Sequence, residues 1–201
     1  MPLTASPASL LGGRLSVDFV NANRSSAELS WELLIHFLES TGIVSPGRGA
    51  QLLGLPQSDP QAADGLLRKA WRLGSALRKV FTAMLRKQRM AEEWIEPINE
   101  ILRITEGHDE LVGRDGNWKI EFVAREGGLD WLLAAVARSG AEIIAEGARA
   151  RLRLCANPHC GLFFCDNSRT RRRRWCSMAV CGNRNKVAAF ARKHGSVRDA
   201  P

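Results

Sequence analysis

Three features of the sequence predict an α+β fold in two parts. Over residues 1–150, apolar residues recur mostly at helical spacing and alternate in short stretches, one of them around an Asp-Gly pair. Near residue 150 the charge changes. Residues 151–201 hold 12 Lys and Arg against 2 Asp and Glu, a balance of +10; the first 150 hold the remaining 17 and 19, a balance of −2, in a chain of net charge +8. All five cysteines also lie beyond residue 150. The expected architecture is a mainly helical domain over 1–150 with a small β-hairpin, then a basic, cysteine-rich module over 151–201. A chain of 201 residues, 45% hydrophobic, can hold one ordinary domain plus such a module.

The first eleven residues, with Pro and Ser among them, read as a flexible start. In Gly12–Asn23, Leu15, Val17 and Phe19 alternate with Ser16, Asp18 and Val20, which predicts a short strand or extended entry. Ser30–Thr41 is a helix, with Ser30 as N-cap, an apolar stripe of Leu33, Leu34, Phe37 and Leu38, and Gly42 closing it. His36 has no partner ligand near it in sequence and reads as a helix-surface residue. Ser45–Ser58, rich in Pro and Gly, reads as a link. Asp59-Pro60 starts a long helix, Asp at the cap and Pro at the first helical position. Its stripe runs from Ala63 to Leu85, and its basic face from Arg68 to Lys87 is ordinary solvated charge.

Glu92–Glu106 is a further helix, with Pro97 placed in or near its first turn. Leu111–Phe122 reads as a β-hairpin about Asp115-Gly116, with Trp118, Ile120 and Phe122 facing the core. His108, Asp109 and Glu110 read as a polar turn before it. Leu129–Arg149 is the most apolar helix and should sit centrally. Arg151–Leu154 then alternates as a strand does.

Four cysteines form two pairs, Cys155–Cys160 and Cys176–Cys181, each with four residues between its members and fifteen between the pairs. Paired thiols, a loop and paired thiols again is how a chain builds a tetrahedral site for one structural Zn2+. Pro158 and Gly161 bracket Cys160 and suit a sharp turn. Cys165 falls outside both pairs. Four thiolates leave no open coordination position, so water activation at the metal is not expected.

At these residues the sequence resembles the CGNR-type zinc fingers of bacteria. The string Cys176-Ser177-Met178-Ala179-Val180-Cys181-Gly182-Asn183-Arg184 carries their signature, and Trp175, the Arg171–Arg174 run, Leu162-Phe163-Phe164-x-Asp166-x-Ser168-Arg169 and the first cysteine pair also fit. Leu15-Ser16-Val17-Asp18-Phe19-Val20-Asn21 resembles the opening of the N-terminal ABATE-type domain that precedes such fingers. The resemblance is specific at the finger and weak in the middle of the chain. It implies a stress-induced transcriptional regulator, with the four cysteines as ligands and the basic loop as a nucleic-acid contact. It is also the main support for a ligand pocket at Asp18, Asn21 and Asn23, residue types that equally suit caps and turns.

The expected module is of treble-clef type. Strand 151–154 pairs with 162–164, and the second cysteine pair leads into a C-terminal helix, with Cys181 at or just inside its start. Nucleic-acid contacts fall to Arg169, Arg171, Arg172, Arg173 and Arg174 in the loop and to Arg184, Lys186, Arg192 and Lys193 along the helix. Val187, Phe190 and Ala191 form the helix's inner face. Trp175 either stacks on a base or packs on the knuckle, and Asn183 either bonds a sulfur or caps the helix. Asp166 orients arginines.

The function that follows is a DNA-binding regulator whose N-terminal domain senses a small-molecule effector or forms a homodimer. The competing readings are a zinc-dependent protein- or RNA-interaction module and, with no nucleophile–base pair in view, an enzyme built around Asp18 and Asn21. No apolar run spans a bilayer, and the N-terminus lacks a signal peptide's positive region. These observations point to the cytoplasm, where free thiols favour metal over disulfides.

Overall fold

The computed structural model describes residues 10–23, 29–104, 107–114, 117–124 and 128–194. Eight helices are present among them: α1 (Leu15–Ala22), α2 (Trp31–Ser40), α3 (Pro46–Leu53), α4 (Leu55–Ser58), α5 (Pro60–Arg86), α6 (Glu92–Ile104), α7 (Trp131–Glu146) and α8 (Asn183–His194). Two antiparallel strand pairs are also present among the described residues, β1 (Gly107–Arg114) with β2 (Asn117–Ala124), and β3 (Leu152–Leu154) with β4 (Phe163–Cys165).

Helix α5 is the axis of the molecule. The Asp59 carboxylate accepts from the Ala62 N–H at 3.0 Å, Pro60 follows at the first position, and Lys87 ends the helix in the left-handed region at φ 54°. Its buried stripe of Leu66, Ala70, Leu73, Leu77, Val80 and Phe81 meets α1, α2, α6 and α7. At Gly140 of α7 the helices come close: a Cβ there would lie 2.4 Å from the Leu77 side chain. Ser30 caps α2 through the Leu33 N–H, as its sequence suggests.

Four expectations are corrected. Residues 15–22 form helix α1, not a strand; Ser16, Val17, Asp18, Phe19 and Val20 are all buried, so the helix shows no polar face that would betray its period. The 45–58 link is two short helices, the first capped by Ser45, whose hydroxyl accepts from the Arg48 N–H. Pro97 lies inside α6, past its first turn. His108, Asp109 and Glu110 belong to β1, paired with Val123, Phe122 and Glu121. The turn at Asp115-Gly116 lies outside the described residues, and Trp118, Ile120 and Phe122 are described by backbone alone, in β2.

The second hairpin is welded to the helical core. Phe163 and Cys165 are part of the main apolar cluster, and Phe163 meets Phe81 edge-on at 6.0 Å between centroids. Asn21, at the end of α1, donates to the Phe163 carbonyl at 2.9 Å and accepts from its N–H at 3.0 Å, as a neighbouring strand would. The Gly12 carbonyl accepts from the Cys165 N–H at 2.7 Å, and Gly13 turns the chain at φ 73° beside it. Arg14 then fastens this entry to α7 through Glu146 at 2.8 Å and Glu142 at 3.6 Å.

Candidate metal centre and nucleic-acid face

The metal centre is built on two turns. In the first knuckle the Cys160 N–H bonds the Asn157 carbonyl at 2.9 Å, with Pro158 at the second position of the turn, where its fixed φ is favoured. Gly161 follows at φ 65°, a conformation that a side chain would strain. In the second, Ser177 caps a π-helical turn, Met178–Gly182, that runs straight into α8. A π turn carries one more residue than an α turn. This accommodates the four-residue gap between Cys176 and Cys181.

The four sulfurs of Cys155, Cys160, Cys176 and Cys181 lie within 4.8 Å of one another, and all four residues are buried. Cys176 is 3.6 Å from Cys160 and 3.7 Å from Cys181. A tetrahedron with zinc–sulfur bonds of about 2.3 Å has edges of about 3.8 Å, so the donor set fits zinc. These thiols form a single zinc-binding cluster. Burial pushes the Cys160 thiol up to about 11 and, with Cys160 beside it, drives Cys176 higher still. Cys155 is held below its ordinary value: burial opposes this, but N–H groups of Cys176 and Asn157 outweigh it. Zinc must therefore displace protons to bind, and the N–H groups aimed at sulfur favour the thiolate.

The sulfur contact anticipated from Asn183 comes from Asn157, whose Nδ2 donates to Cys181 Sγ at 3.5 Å. Asn183 bonds the Ala179 carbonyl instead, at 3.2 Å. Around the cluster pack Phe164, Leu162, Trp175 and, from the far end of the chain, Leu11. Nothing in the sequence near Leu11 signals this role. Trp175 is half-buried against the knuckle, with the Arg174 guanidinium over its ring at 5.3 Å.

Asp166 organises the loop between the pairs. It is fully buried; its oxygens accept from the Ser168 N–H and hydroxyl and from the Arg173 N–H, and Arg153 approaches at 3.3 Å. Burial works against its ionisation, but these donors hold its carboxyl below the usual range. Arg173 turns inward. Its guanidinium lies over Phe164 at 4.8 Å and donates to the carbonyls of Trp175 and Cys176. Arg169, Arg171, Arg172 and Arg174 are exposed, as are Arg184 and Lys186 on α8. Arg192 and Lys193 lie on α8, and their side chains are outside the described set. The only acidic residue in 151–194 is the buried Asp166. The inner face expected for α8 is absent: Val187 and Phe190 are 68% and 66% exposed, and Ala191 is exposed too. The helix continues directly from the π turn.

Two of the three polar residues of the N-terminal segment are hydrogen-bonded within the fold, and the third lies against α5. Asp18, 7% exposed, accepts from the Gly12 N–H at 2.7 Å, and burial raises its pKa to about 6. Asn21 is spent on Phe163. Asn23 ends α1 against Gly74, where a Cβ would stand 2.6 Å from its amide nitrogen.

Comparison with known families agrees with this geometry. The family model for the CGNR zinc finger matches residues 151–194. A second, ABATE, described as "Putative stress-induced transcription regulator", matches residues 13–147. No curated protein matches the chain. Among the described residues no helix is long and apolar enough to cross a membrane. With about two thirds of its length matched by the ABATE model and the finger following directly, the chain belongs to the ABATE family and carries a CGNR zinc finger at its C-terminal end.

Proposed function

We propose that this is a cytoplasmic, DNA-binding transcription regulator acting in a stress response. Residues 151–201 are its DNA-binding module, and residues 1–150 sense a small molecule or form a homodimer. One observation carries the reading: exposed Arg169, Arg171, Arg172, Arg174, Arg184 and Lys186 stand on a zinc-stapled scaffold whose only acid through residue 194 is buried. Fixed guanidinium groups suit phosphate oxygens and guanine edges. The closed four-thiolate site makes zinc's part structural, so the role is binding rather than catalysis.

Fluorescence anisotropy with a labelled DNA duplex tests it. About five phosphate contacts give a slope of roughly −4 to −5 in log K against log salt. Affinity with no salt dependence, or tighter binding to an acidic protein or to RNA than to duplex DNA, favours the interaction-module reading instead.

A further inference from the structure

A half-open groove of about 360 Å³ runs between α5 and α6, on a part of the molecule that the zinc centre does not use. Its size falls within the range of small-ligand sites, about 300–1,000 Å³. Trp71, 52% exposed, and Ala76 line it from α5, half-buried Trp94 and Pro97 from α6. An indole half open to water on an otherwise well-packed helix is an uncovered apolar face. Two indoles lining one groove suit a flat ring, which gains from stacking as well as from burial.

The polar groups of the groove define the ligand's charge. Arg72 is neutralised by Glu100 at 3.0 Å. Glu93 accepts from the Trp94 indole N–H at 3.1 Å and sits in the first turn of α6, where the helix dipole balances a negative charge. Lys79 has no ion-pair or hydrogen-bond partner among the described residues, and the Ser75 hydroxyl and Trp71 indole N–H are likewise unengaged. Residues 71, 75 and 79 are four apart, so these three donors line one face of α5 along the groove. The groove therefore offers stacking surface, one uncompensated ammonium and two neutral donors.

We propose that this groove binds a small planar aromatic carboxylate. The ring lies between Trp71 and Trp94, and the carboxylate accepts from Lys79 and Ser75. This deepens the reading that residues 1–150 sense a small molecule, and rests on that reading for its biological purpose. The binding itself does not depend on whether the finger contacts DNA.

The test is tryptophan fluorescence of the full-length, zinc-loaded protein titrated with 1-naphthoate. The neutral alcohol of the same ring, 1-naphthylmethanol, serves as control. Trp71→Ala and Lys79→Met alter exposed side chains, so thermal melting should show both variants folded. The expected result is saturable binding of 1-naphthoate, weakened about tenfold or more in each variant and for the alcohol. Absence of saturable binding to the wild type, equal affinity for acid and alcohol, or indifference to both substitutions overturns the proposal. So does a concentration-dependent dimer abolished by Trp71→Ala, which would make the groove an interface between copies. Retained salt-dependent DNA binding alongside a failed titration would remove the groove and leave the finger's role standing.

Discussion

Replacing Asn21 with alanine should destabilise the zinc finger and the helical core together. The Asn21 amide pairs with both backbone groups of Phe163, at 2.9 and 3.0 Å, in a partly buried seam. Truncation removes two hydrogen bonds and leaves an N–H and a carbonyl without partners. Each such loss costs about 1–3 kcal/mol, and partial access of water keeps the pair near the lower end, at about 2–4 kcal/mol. For a chain of this size that corresponds to a fall in Tm of roughly 4–16 °C. The finger's Phe163 and Cys165 lie in the same apolar cluster as Leu77 and Phe81 of α5, so one cooperative transition is expected. Urea or thermal unfolding, followed by far-UV circular dichroism and tryptophan fluorescence, measures both effects. Asn21→Asp provides an internal control: at neutral pH it sets a carboxylate oxygen against the Phe163 carbonyl, and at low pH it regains a donor. Separate melting of the two parts in the wild type, with neither shifted by Asn21→Ala, would refute the continuous core.

Four further outcomes follow from the same geometry. Burial raises Asp18 from 3.8 to about 6, so the native state holds this proton more tightly than the unfolded chain does. Its contribution to stability is full below pH 4 and is lost as pH rises through 6, by up to about 3 kcal/mol. Asp18→Asn, which keeps an acceptor for the Gly12 N–H, should therefore be more stable than wild type at pH 8, the advantage vanishing at pH 4; urea midpoints across that range measure it. Arg173→Ala should lower stability and expose the 169–174 loop to trypsin, because Arg173 is committed to the carbonyls of Trp175 and Cys176. Arg172→Ala should leave stability unchanged and weaken DNA binding while reducing the salt slope by about one contact. Zinc affinity, followed by a metallochromic competitor, should fall steeply with acid, since Cys160 and Cys176 hold their protons above the ordinary thiol range.

The legible parts of the chain were those whose signals are local. Helices α2 and α5 declare themselves by caps, Ser30 and Asp59, and by one-sided apolar stripes; the two cysteine pairs declare the metal centre by spacing. Helix α1 did not, because it is buried on several sides, and Ser16 and Asp18 spend their polar groups on Ser139 and Gly12. The cap and proline that start α3, Ser45-Pro46, were in the sequence, but Gly47 and Gly49 made the stretch read as a link. The seam was beyond reach in principle. Asn21 recognises the backbone of a residue 142 positions away, and backbone leaves no side-chain signature. Among the arginines, sequence could not separate Arg173 from its neighbours, since only the fold turns it towards Phe164 and two carbonyls. Val187 and Phe190 were assigned inward on periodicity alone. The fold leaves both residues largely exposed.

The central claim is that zinc holds this basic surface in the shape that binds DNA. Anisotropy of a labelled duplex should be measured with zinc-loaded protein, with the same protein after chelation, and with Cys155→Ala and Cys176→Ala, each with its zinc content determined. The account predicts about one zinc per chain in the loaded protein. Affinity should be strongly salt-dependent in that state and lost together with the metal in the other three. Undiminished, equally salt-dependent binding by the metal-free proteins would contradict it.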